Sequence, residues 1–107
     1  MFNKGMGNIY KQAQQMQKKM AQVQEDLKKI HIEGSSGGGI IKVVVNGKKE
    51  IISINIDDSV LKEEKEMLED LILAAVKQAM ENADTKAEEM MKSITGGITP
   101  NFNLPGF

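Results

Sequence analysis

Four places in this 107-residue chain hold side chains that could do chemistry. His31 is the only imidazole, and no serine or cysteine nucleophile has a motif around it, so a surface position fits it better than a general base. Asp57-Asp58 with Glu63-Glu64 could be imagined gripping a metal, but the calcium-loop spacing and its glycine are absent, and helix capping accounts for the cluster. GSSGGG at 34–39 has the composition of a phosphate cradle; the lysine and hydroxyl of such a loop are missing, and a strand follows where a helix is needed, so it reads as a hinge. What remains is KQAQQMQKKM at 11–20, with three lysines, four glutamines and no acid. Lysines so placed serve either as the solvated back of a helix or as a surface kept positive for a polyanion.

The totals narrow the choice. The chain is short enough for one domain with a thin core that a partner subunit would help to close. There is no cysteine, hence no disulfide framework and no thiolate chemistry. No apolar run exceeds the six residues from Leu71 to Val76, and the first residues lack a secretory signal, so the sequence predicts a soluble, intracellular protein with no membrane contact. A chain this short and poor in aromatics offers little material for a pocket, which predicts no enzyme, no small-molecule substrate, no metal and no cofactor. The formal charge of −1 hides a gradient: residues 1–24 carry +4 and residues 57–107 carry −6. All fourteen cations are lysine. Without arginine's planar fork, any DNA contact should lean on phosphate more than on base edges.

These side chains are presented by elements that the sequence marks plainly. Met6, Ile9, Ala13, Met16, Met20, Val23, Leu27 and Ile30 recur in steps of three and four, a narrow heptad seam that predicts a helix over about 6–30. At about 1.5 Å per residue such a helix should project beyond the rest of the fold. Alternating apolar positions over about 30–57 predict three short antiparallel strands, with Asn46-Gly47 as a two-residue turn. That turn sets Val45 against Lys48, Val43 against Glu50 and Ile41 against Ile52. Ile41, Val43, Val45, Ile52, Ile54 and Ile56 then share the core face, while Ile40, Val44 and Ile51 make the other face apolar enough to call for a second covering layer. Asp57, Asp58 and Ser59 begin a second helix over about 60–94, packed in its first half and more exposed in its second. Residues 96–107, with both prolines, read as a flexible tail beyond a single domain at 1–95.

The fold class is thus α+β, in the order helix, three-stranded antiparallel sheet, helix. In that order MFNKGMGN, KQAQQMQKKM, GGGIIKVVVNG, DDSVLKEEKEMLEDLILAA and the closing PGF together resemble the YbaB/EbfC family of bacterial nucleoid-associated proteins, over essentially the whole chain. The resemblance implies a cytoplasmic, nucleoid-located homodimer that binds double-stranded DNA, with helices projecting from a dimerised central sheet like the arms of tweezers. On that shape the DNA contacts would be Lys4, Lys11, Lys18 and Lys19, then Lys77, Lys86 and Lys92. Glu81, Asp84, Glu88 and Glu89 accompany the second set and would repel phosphate. The dimer or core interface would draw on Ile40, Ile41, Val43, Val44, Ile51 and Ile54. On this reading Ala13, Met16 and Met20 pack against the second helix while the lysines face the backbone of the duplex. The rival is a prefoldin-like holding chaperone or a coiled-coil adaptor, which explains the heptads and methionines equally well but not the acid-free start.

Overall fold

The structure, a computed structural model, describes residues 2–95 and the side chains of residues 7–93; Lys4's side chain and the tail expected at 96–107 lie outside the described residues. The order is α1 (Phe2–Lys29), β1 (Ile32–Ser36), β2 (Ile41–Val45), β3 (Ile51–Ile56), a 3-10 turn (Asp58–Lys62) and α2 (Lys65–Thr95). The sheet is antiparallel with β2 in the middle. The radius of gyration is 19.7 Å, against about 13 Å for a compact chain of this length. The long dimension, 75 Å against 24 and 17 Å, comes from the two helices.

The core lies under α2. Ile41, Val43 and Val45 turn the buried face of β2 toward Ala75, Ala79 and Ala83, and Val60 closes one end. Alanine at those helical positions lets the backbones come close, and Gly34 is where they meet. A Cβ there would overlap the backbone nitrogen of Ala79 and lie 2.5 Å from the Ala75 carbonyl oxygen. The glycine-rich run is therefore not all hinge: β1 continues through Gly34, Ser35 and Ser36, and only Gly37–Ile40 turns. The outer edge of β1 is then tied to α2. Gln78 Oε1 accepts from the Ser35 N–H at 2.7 Å, Asn82 Nδ2 donates to the Glu33 carbonyl at 3.0 Å, and Ser36 Oγ donates to the Leu71 carbonyl at 2.6 Å.

The β2–β3 connection departs from the two-residue turn. Val43 pairs with Ile54 and Ile41 with Ile56, four residues beyond the expected register, with a bulge at Val44/Val45 that sets Val45 against Ile51. A slip of an even number keeps the faces of β3 where alternation puts them, because the side-chain period is two. The longer loop arises because buried Asn46 closes it from within. Its Oδ1 accepts from Lys48 N–H at 2.9 Å and Glu50 N–H at 3.0 Å, its Nδ2 donates to Glu50, and Lys49 takes a φ of 65°. Asn46-Gly47 is thus more than a turn: Gly47 N–H donates to the Leu27 carbonyl at 2.7 Å, and a Cβ at Gly47 would meet Leu27. Lys48 bonds Gln24 and Lys49 pairs with Asp84, so the loop clamps α1 to α2.

The second helical segment starts in two steps. The Ser59 hydroxyl and then the Ser59 N–H donate to Asp57, which holds this exposed carboxyl below the usual carboxylate range and caps the 3-10 turn. Extended Glu63 breaks the rise before α2 begins. Burial along α2 also differs from the expected packed first half. Met67 is exposed, whereas Ala87 and Met91, near the far end, are buried against Val23 and Leu27 of α1. Sheet and α1 thus cover successive stretches of one α2 stripe.

Candidate nucleic-acid interface

Both helices leave the sheet in the same direction, α1 by its N-terminal half and α2 by its C-terminal end. Their mutual packing ends near Met20, Met90 and Met91. Before that point α1 has no packing partner among the described residues. Ala13 and Met16 do not pack on α2 as expected; both are exposed, and Ile9 is 69% and Tyr10 65% accessible. The isolated half remains helical on its glutamines and lysines, strong helix formers that need no partner to favour the conformation.

The lysines occupy the opposite side of this rod. Lys11 lies two residues beyond Ile9 and Lys18 two beyond Met16, so each is turned about 200° from the apolar seam. Lys4, Lys11 and Lys18 are spaced by sevens, which places them in one row with repeats about 10.5 Å apart. Lys19 stands beside it. Lys11, Lys18 and Lys19 are exposed and form no ion pair among the described residues, because no acid occurs on α1 before Glu25. The row therefore carries its charge uncompensated into solvent.

The α2 lysines sit in different surroundings. Lys86 reaches Glu89 at 3.9 Å, and Lys77 lies on a solvent stripe with Glu66, Asp70, Glu81, Asp84 and Glu88 at helical spacing. Lys92 is exposed in the last turn, where the helix dipole favours a cation. Structure thus brings Lys11, Lys18 and Lys19 together with the Lys4 position, and leaves Lys77 and Lys86 among carboxylates.

The sheet offers a second surface. Strand β3 is largely uncovered: Ile51, Ile52 and Ile54 are 50%, 46% and 45% exposed and Ile56, at its end, packs against the core, since α2 lies over β1 and β2. Alternation expects Ile52 and Ile54 in the core, with Ile54 expected at the interface as well; alternation fixes a side of the sheet but not how far a helix extends across it. Ile41 and Val43 are fully buried within the chain, and Ile40 and Val44 are half-buried. Among the described residues no α2 side chain caps the outer edge of β3 as Gln78 and Asn82 cap β1. The open half-seam at Ile9–Met16 went unforeseen. Its signal in the sequence is the Gly96-Gly97 pair, a helix-stop composition placed where the first helix still has two heptads to run.

Among the described residues no group of acids and histidine could hold a metal ion, and no helix is long and apolar enough to cross a membrane. Residues 2–98 match the YbaB/EbfC DNA-binding family. A nucleoid-associated protein of Caldanaerobacter subterraneus subsp. tengcongensis is 50% identical over 102 residues, covering 94% of this chain and 88% of that one. Among solved structures, an uncharacterized protein from Helicobacter pylori superposes with a TM-score of 0.73 at 25% identity, covering 82% of this chain and 94% of its own.

Proposed function

The chain belongs to the YbaB/EbfC DNA-binding family, and from that membership we propose a nucleoid-associated homodimer that grips duplex DNA by its phosphates, with little regard to sequence and without catalysing a reaction. The observation that carries the phosphate-led grip is the unpaired row of Lys11 and Lys18 with Lys19 on a rod free of acid. Lysine ammonium groups are point charges, suited to phosphate oxygens in any sequence context. A homodimer presents two such rows, and Lys77, Lys86 and Lys92 stand behind them as lesser contacts, their fields offset by the α2 acids. Its place is the cytoplasmic nucleoid.

The dimer forms through β3. An edge with unpaired backbone groups and exposed isoleucines on both faces is a template for a second strand, and the identical β3 of another copy supplies one. Replacing Ile52 and Ile54 together with lysine should leave the monomer folded, because both are already half in solvent, and should convert the dimer to monomer in light scattering at micromolar concentration. A double variant that stays dimeric would remove β3 from the interface.

The mechanism is tested by salt. If about four to eight phosphates are neutralised, log affinity plotted against log salt should have a slope between about −4 and −7, and should do so for duplexes of unrelated sequence. A flat plot rejects phosphate-led binding. Exposed Ile9 and Met16 also suit a holding chaperone or adaptor, so client aggregation belongs in the same titration. Client protection without DNA retardation would favour that reading.

A further inference from the structure

The two sides of the α1 rod carry different chemistry, and only the lysine side has been given a role. The other is the open half of the heptad seam, Ile9, Ala13 and Met16, which continues in phase with the half that α2 covers from Met20 onward. A seam of that width is a helix-packing surface, so its missing cover is another helix. The solvent face of α2 does not qualify, being acidic, with Met67 and Leu73 as isolated exposed apolar residues rather than a continuous seam between Glu66 and Glu81. DNA does not qualify either, since the seam points away from the lysine row and offers no charge to phosphate.

The residues flanking the open seam show what fits. At the heptad positions that rim it stand Tyr10, Gln12 and Gln17, all uncharged, and between residues 5 and 17 the only charge is Lys11, at the back of the rod. A surface that is apolar along its centre and neutral at its rims can meet an identical copy without repulsion. Ala13, the smallest seam residue, lies midway between Ile9 and Met16, where two antiparallel copies would cross most closely.

We propose that this half-seam pairs with the same half-seam of a second copy from a neighbouring dimer, antiparallel about Ala13, leaving the two lysine rows facing outward on opposite sides. The paired arms then hold two duplexes at once. Two helical turns bury far less than the roughly 1,200–2,000 Å² of a stable interface, so the contact is weak in free solution and forms where DNA concentrates the dimers. Bridging accordingly depends on the seam, whereas binding to a single duplex does not. The inference rests on the lysine-row reading above, and the experiment separates the two.

The test replaces Ile9 and Met16 with glutamine, which preserves charge and helix propensity. Two assays are read beside circular dichroism: affinity for a duplex too short to bridge, and capture of a labelled duplex by an unlabelled one tethered to beads. Short-duplex affinity should stay within about twofold while capture falls about tenfold or more. Capture equal to wild type overturns the proposal, as does a loss of short-duplex affinity in the variant. A second arm uses Ala13→Cys, the only thiol in a chain that has none. A short bis-maleimide should join differently tagged dimers when long DNA is present; absence of that product also overturns the proposal. A wild-type protein that fails on the short duplex would instead sink the phosphate-binding reading.

Discussion

Gly34→Ala should lower stability by about 3 kcal/mol or more, a loss typical of severe core overpacking. In this size class that shifts the melting midpoint down by roughly 12–24 °C. The added methyl has nowhere to go, because what it meets is the backbone of α2 at Ala75 and Ala79 rather than the end of a movable side chain. Relief requires α2 to lift from β1. Lifting it breaks the bonds from Gln78, Asn82 and Ser36 and opens the layer that buries Ile41, Val43 and Val45. Trimming Ala79 to glycine should not rescue the variant, since the clash is with main-chain atoms. Gly7→Ala is the control: nothing lies within 4 Å of a Cβ there, and on an exposed helix alanine is favoured over glycine by about 1 kcal/mol. Thermal melts of the three variants check the account, and a Gly34→Ala protein that melts with wild type would refute the close approach.

The same glycine marks where reading along the chain stops working. In GSSGGG, Gly34 looks like the first residue of a loop, and the reason it belongs to a strand lies some 41 to 45 residues away on α2. Local chemistry was legible wherever the cause was local: the steps of three and four along α1, the alternation in β2, the absence of acid around Lys11 and Lys18. The register of β3 was misplaced by four residues because the side chain of Asn46 organises a longer loop than the Asn-Gly pair suggests. Its faces survived the error because four is even. Coverage was the least legible property. Nothing in Met16 distinguishes it from Met20, yet one is exposed and the other half-buried, and the difference depends on where α2 ends. Likewise Lys86 differs from Lys18 chiefly in having Glu89 one turn away.

Replacing Lys11, Lys18 and Lys19 together with glutamine should reduce duplex affinity about a hundredfold or more near 50 mM salt, and by a similar factor for every sequence tried. All three side chains are exposed and free of ion pairs among the described residues, and glutamine sustains a helix about as well as lysine, so fold and melting point should stay put. What changes is counterion release. Each lost phosphate contact removes about 0.9 from the slope of log affinity against log salt, so losing three contacts on one arm flattens it by about 3, and by about 5 if both arms engage. The parallel change of Lys77 and Lys86 to glutamine should cost less than about threefold, because Lys86 is already paired with Glu89 and both sit in the field of the α2 acids. The ranking carries the weight here. In a lysine row that carries its charge into solvent beside no acid, each ammonium group gains a phosphate partner on binding DNA without leaving a carboxylate behind. If the α1 triple variant bound normally while the α2 pair did not, the grip would have to move to the acidic helix.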